Sequence, residues 1–357
     1  MKGTYLLNTL IKLPIVLFLI ALTSCNGTKK ESLSPVVIEK EIRVDGLGWT
    51  KPVSHRTRSI FNHVELGQVC ASIVQNQVEF YSLESDSLIR LVPAPFASEA
   101  DFQIQSDDFN RVVLASNTTI YRLVENQWES TDLRTKIDSV IEIRDFTSLA
   151  ITRSYDVVFS FAAIKQLDNE QSSYYDDVAI WRASGRLELL NFQNAEHYES
   201  HQYLIPKVQI ACKGDSIYVS NTLCDELNIY DNGEWSKVFI NNPYVNFEDL
   251  PDETHKSSDD ARLAMYVYNS FEQYGPMFVS NNGELIRVVN MRVNESNKRK
   301  SLIQVIYPDF RTKYYRLPTD KYSFEPAWNC VDDQLIYMKR NDNNETCSYL
   351  LHYVSMD

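Results

Sequence analysis

The chain has 357 residues, and its 48 acidic against 35 basic side chains give a formal charge of −13 at pH 7. That charge repels phosphate backbones, and the one basic run, Asn297-Lys-Arg-Lys300, reads as a solvated turn, so nucleic acid is not an expected partner. With 44% hydrophobic and 12% aromatic residues the chain can build a large core, which excludes wholesale disorder.

At the N-terminus Lys2 supplies a positive region, and Lys12 precedes the apolar run Leu13–Leu22. A run that short suits the apolar segment of an export signal better than a membrane span, which needs about 20 residues. Leu22-Thr23-Ser24-Cys25 then places an apolar residue and two small ones before a cysteine. The quartet resembles the lipobox of bacterial lipoproteins. The resemblance implies cleavage after Ser24 and a diacylglycerol thioether on Cys25, with residues 1–24 as signal peptide and 25–34 as a lipidated polar tether. Acyl chains contribute about 0.8 kcal/mol per buried CH₂, so two or three of them hold a protein on a membrane without a spanning helix. The alternative is an uncleaved anchor with an incidental cysteine.

From residue 35 to 357 the chain reads as one all-β domain. Short runs rich in Val, Ile, Tyr, Phe and Thr alternate with Asn, Asp, Ser and Gly clusters. Pro35–Val44 is an isolated strand candidate. A hairpin with an aromatic mark then recurs at Phe80-Tyr81 to Leu88, Ile120-Tyr121 to Trp128, Ile180-Trp181 to Leu187, Ile229-Tyr230 to Trp235 and Ile306-Tyr307 to Tyr314. The tail Cys347–Tyr353 repeats the first half of this unit without a second. Repeats of this kind are the units of β-propellers. The expected fold is a six-bladed β-propeller with blades at about 53–93, 98–133, 138–192, 203–240, 245–318 and 322–357, the last completed by 35–45. A seven-bladed ring and a pair of β-sandwiches are the alternatives. Ten glycines are few for so many turns. No stretch holds a helical period, and 244–260 is the best place for a short helix or long loop.

A lipobox, a polar tether and a weakly repeating ring together resemble the propeller lipoproteins of Bacteroidetes, loosely related to TolB-like propellers and mostly of unknown function. The resemblance implies an outer-membrane lipoprotein facing the periplasm or the surface. It also implies glycosylation at Asp-Ser-apolar tripeptides, which Asp86-Ser87-Leu88, Asp138-Ser139-Val140 and Asp215-Ser216-Ile217 match. Only Cys25 carries over as a functional residue.

Chemical motifs are sparse. His197 and His201 stand four apart but lack the order of a zinc hydrolase. Asn341–Glu345 offers oxygen ligands without the spacing of a calcium loop. The acid pairs Asp107-Asp108, Asp176-Asp177, Asp259-Asp260 and Asp332-Asp333 suit either turns or acid–base work. Five cysteines follow Cys25 without a CxxC and read as small buried hydrophobes. No metal or cofactor is expected.

Propeller ligands sit where blade-connecting loops gather at one end of the channel. The insertions 164–177 and 244–258 and the loop 270–275 are expected there, bringing Tyr174, Tyr175, Asp176, Asp177, Tyr244, Phe271 and Tyr274. Rings beside carboxylates suit sugars or peptides. The expected function is therefore binding or scaffolding of a peptide, glycan or envelope protein. The alternative, an exported hydrolase or lyase, needs paired carboxylates converging on one substrate atom.

Overall fold

The computed structural model describes residues 33–35, 37–44, 58–74, 76–95, 102–116, 118–135, 141–166, 172–193, 207–245, 247, 273–291, 301–317, 327–331, 333–341 and 348–355. The chain divides at Leu33/Ser34, and every strand belongs to the unit Ser34–Asp357. Two strands open it, β1 (Ser34–Pro35) and β2 (Val37–Val44).

Four consecutive antiparallel sheets come next, each of four strands in chain order. The first holds β3 (Arg58–His63), β4 (Gly67–Val74), β5 (Gln77–Ser82) and β6 (Ser87–Pro93), and the second β7 (Phe102–Asp108), β8 (Arg111–Ser116), β9 (Thr119–Val124) and β10 (Gln127–Asp132). The third holds β11 (Ile141–Ile151), β12 (Val157–Gln166), β13 (Ser172–Trp181) and β14 (Leu187–Leu189). The fourth is β15 (Val208–Lys213), β16 (Ser216–Asn221), β17 (Glu226–Asp231) and β18 (Glu234–Phe239). A fifth sheet, β19 (Gln273–Val279), β20 (Leu285–Asn290), β21 (Ser301–Ile306) and β22 (Thr312–Arg316), gains β1 as a parallel outer strand. The last sheet joins β23 (Ala327–Val331), β24 (Gln334–Asn341) and β25 (Ser348–Ser355) to β2, which lies antiparallel to β25. Helix among the described residues is one 3-10 turn at Leu133–Thr135.

Burial explains why alternation is weak in this sequence. Val112–Ser116 of β8 and Val157–Ala163 of β12 are buried at every position, because the middle strands are covered on both sides by neighbouring sheets. An apolar layer fills each gap between consecutive sheets. Phe61, Val69 and Phe80 meet Ile104, Val112 and Leu114 between the first and second, and Ile286, Ile303 and Tyr315 meet Trp328, Leu335 and Tyr337 between the fifth and last. Each such side chain stabilises the fold by roughly 1.5–3 kcal/mol. Outer strands keep a half-exposed pattern, as in β18.

Sheets stacked side by side in this way have a β-propeller arrangement. The aromatic marks fall on or just past the third strand of a sheet: Tyr81 on β5, Tyr121 on β9, Trp181 on β13, Tyr230 on β17 and Tyr307 directly after β21. Few glycines suffice because Asn76, Asp86, Asn126, Asn191, Asn232 and Asp333 take the left-handed backbone positions, with φ between 49° and 66°.

One expectation is corrected. Residues 164–177, expected as an inserted loop, are mostly the extended ends of β12 and β13, paired from Gln166↔Ser172 to Phe161↔Asp177. The hairpin grew by adding rungs, which satisfies its backbone groups without a separate loop. The helix or loop expected over 244–260 lies outside the described residues except for 244, 245 and 247.

Candidate functional site

The first strand of every sheet faces its counterparts. β3 packs on β7, β7 on β11, β11 on β15, β15 on β19, β19 on β23, and β23 on β3. These are edge strands, whose unpaired N–H and C=O groups need partners from elsewhere. Short polar side chains supply them across the gaps. Ser106 N–H donates to Ser59 Oγ at 2.9 Å, and Ser59 Oγ donates back to Ser106 O at 2.8 Å. Ile210 N–H donates to Ser148 Oγ at 3.0 Å, and Gln103 Nε2 donates to Phe146 O.

Residues of these strands line a half-open cavity of about 420 Å³. Its polar lining is mainly neutral, with Gln105, Gln209 and Asn329 among the amides. Arg58 and Asp107 are its charged residues among those described. Asp107 pairs with Arg111 at 3.1 Å. Desolvation nevertheless pushes its carboxyl up to about 6, against the pull of Arg111 and with a push from Asp108. Arg111 also donates to Thr152 O at 2.8 Å and lies 4.8 Å over the Tyr155 ring. Cys212 lines the cavity too, but burial pushes its thiol up to about 12, as it does those of Cys70 and Cys224, so none is a ready nucleophile.

A second polar centre lies between the fourth and fifth sheets. Arg287 of β20 is 0% exposed. Its Nε donates to Gln304 Oε1 at 2.8 Å and Nη1 to Ser220 Oγ at 2.9 Å, while Nη2 has no hydrogen-bond partner among the described residues. The guanidinium sits 3.4 Å over the centre of the Tyr274 ring. Tyr274 donates its hydroxyl proton to Asp225 Oδ1. Burial raises the Asp225 carboxyl, while that hydrogen bond and Arg287 hold it down. Gln304 Nε2 donates to the Tyr314 hydroxyl at 3.0 Å, which donates to Asn241 O at 3.1 Å. The Tyr244 ring meets Tyr314 edge-on at 5.0 Å.

Two of the expected ligand residues, Tyr244 and Tyr274, thus join one network, and Tyr274 is fully buried within it. Asp177 is elsewhere, at the edge of the third sheet, where Oδ1 accepts the N–H groups of Val178 at 2.7 Å and Phe192 at 3.2 Å. Tyr174, Tyr175 and Asp176 occupy consecutive positions of β13 opposite Ile164, Ala163 and Ala162. Their side chains, like Phe271 and Cys25, lie outside the described residues, as do His197, His201 and Asp259-Asp260. The sequence reading missed Arg287, which hides in Leu285-Ile-Arg-Val-Val289 as an ordinary polar position of an alternating strand. It also missed the amides of Phe102-Gln-Ile-Gln105 and Val208-Gln209, for which strand alternation was the available signal.

No protein-family profile and no curated protein matches the chain. Among solved structures it is similar to a protein of Bacteroides fragilis NCTC 9343 provisionally named as exported, at 9% identity and a TM-score of 0.54, over 91% of this chain and 98% of that one. In all, 336 solved chains match, so the likeness speaks for architecture and not for an activity.

Proposed function

We propose that the chain is an exported lipoprotein, held on the outer membrane through Cys25. Its six-bladed ring, closed by 35–45, would bind a short polar peptide or glycan segment in the central channel. The observation that carries the binding reading is the channel itself. About 420 Å³ falls within the roughly 300–1,000 Å³ of small-ligand sites, and its amides offer paired donors and acceptors to hydroxyl or peptide groups. Binding is favoured over hydrolysis because Asp107 is the one carboxylate among the described lining residues, and two would have to converge for acid–base cleavage. Export and anchoring rest on the Leu22–Cys25 quartet, with support from a neighbour of the same fold that is itself named as exported.

The anchor is tested by Cys25→Ala and by globomycin, each of which should stop maturation and release the protein from membranes. Unchanged membrane association of the variant defeats the lipoprotein reading. The channel is tested by screening short oligosaccharides and tripeptides for a rise in melting temperature. Gln105→Trp, at a half-buried lining position, should obstruct the channel and abolish any such rise. A ligand bound equally well by that variant places the site outside the channel.

A further inference from the structure

β13 is longer than the strand outside it. β12 pairs with it along its whole length, whereas β14 covers only Ala179–Trp181. The next rung is half made, since Leu190 N–H donates to Val178 O at 2.8 Å. Its reciprocal bond is diverted at both ends. Val178 N–H donates to Asp177 Oδ1 at 2.7 Å, and the Leu190 carbonyl accepts the Trp235 indole N–H at 2.7 Å. Asp177 Oδ1 also takes the Phe192 N–H that lies two residues further along the departing chain. One carboxylate and one indole therefore end the ladder, and among the described residues no strand pairs with Ser172–Asp177 on that side.

The register gives this edge a defined pattern. In an antiparallel strand the N–H and C=O of a residue point the same way and alternate along the chain. Val178 O points toward β14, so Asp176, Tyr174 and Ser172 present their backbone groups outward, while Asp177, Tyr175 and Ser173 bond to β12. Three donor–acceptor pairs spaced about 7 Å apart form a template for an added strand.

We propose that Ser172–Asp177 is a docking edge for an extended, basic peptide segment of a partner protein, which adds to the third sheet as a further strand. Charge selects this occupant. Asp176 lies in the outward register of a chain that carries −13, which attracts lysine or arginine and disfavours a second copy of the same acidic edge.

The test uses the purified full chain and, as probe, a fluorescein-labelled peptide of about ten residues alternating lysine and valine, with a glutamate–valine counterpart. Tyr174→Pro removes an outward N–H and blocks an incoming strand while sparing the β12 ladder. It should weaken lysine-peptide binding by about tenfold or more, equivalent to about 1.4 kcal/mol, at an unchanged melting temperature. Tyr174→Ala should bind within a few-fold of the native chain, and Tyr175→Pro, which breaks the β12 ladder, should lower the melting temperature. The amides of Ser172, Tyr174 and Asp176 should exchange fast in the free chain and slowly with peptide present. Slow exchange without peptide would mean that the chain already covers this edge, and the proposal falls. It falls equally if the lysine peptide does not bind, if the glutamate peptide binds as well, if Tyr174→Pro binds normally, or if Tyr174→Ala loses as much. Dimerisation abolished by Tyr174→Pro would assign the edge to a second copy and overturn the partner.

Discussion

Ile38 of β2 stands opposite Val354 of β25, although 316 positions of sequence separate them. Val354 is 0% exposed and belongs to the apolar layer between the fifth and last sheets. Deleting residues 35–45 removes β2 and leaves the β25 edge unpaired, so a large fall in melting temperature is expected. Deleting 26–33 should change it little. Equal melts for the two truncations would show that this strand does not hold the domain together.

Trp128 and Trp235 do the same task in different sheets. Each is the second residue of an outer strand, and each donates its indole N–H at 2.7 Å to a carbonyl ending the previous sheet, that of Pro93 or Leu190. Trp128→Phe and Trp235→Phe should each cost about 1 kcal/mol, and the double variant about the sum, because the bonds share no partner. Urea denaturation measures this, and a strongly non-additive double variant would disprove their independence.

Tyr274→Phe removes the hydroxyl that supports Asp225. A buried acceptor left without its donor costs about 1–3 kcal/mol. The lost bond favoured the charged carboxylate, so its removal raises the Asp225 carboxyl further. The destabilisation should therefore be largest at neutral and alkaline pH and shrink as pH falls toward the carboxylate range, because protonation relieves the stranded charge. Melts recorded from alkaline pH downward check the sign.

Asp107 titrates higher in the folded chain, at about 6, than in an unfolded one. Its charge therefore opposes folding at pH 7, and the penalty fades as pH falls from about 6 into the ordinary carboxylate range. Asp107→Asn should stabilise the fold at pH 7 and lose that advantage near pH 4. The side chain is 40% exposed, so screening holds the gain to about 1 kcal/mol or less. A variant less stable at pH 7 would mean that the ion pair with Arg111 outweighs desolvation.

Cys70, Cys212 and Cys224, each pushed up to about 12, should resist iodoacetamide at pH 8 in the native chain and react in urea. Peptide mapping after brief labelling reads this directly. Rapid native labelling of Cys70, which is 0% exposed, would contradict the packing of the first sheet.

Much of the strand plan could be read from sequence because local chemistry recurs. The aromatic marks stand near the ends of third strands, and asparagines and aspartates sit at left-handed turn positions. What escaped depended on remote partners. Nothing near Asp177 says that its carboxylate will meet Phe192 N–H, and nothing near Trp235 points to the Leu190 carbonyl, 45 residues earlier. Arg287 looks like a solvent-facing position until Ser220, 67 residues away, is brought against it. The sequence marked Tyr244 and Tyr274 as notable, but not that their rings would pack inward.

The partnership of β2 and β25 also imposes an order on the birth of the molecule. Synthesis runs from the N-terminus, so residues 37–44 are made some three hundred residues before the strand they need. At about 5–20 residues per second, that delay is roughly 15–60 s. Throughout it the opening strand has no native neighbour in the last sheet, and a chain cut short at any point before β25 keeps it orphaned. Such a product would expose a bare strand edge open to sticking and proteolysis, so the closing pair doubles as a check that synthesis has reached β25.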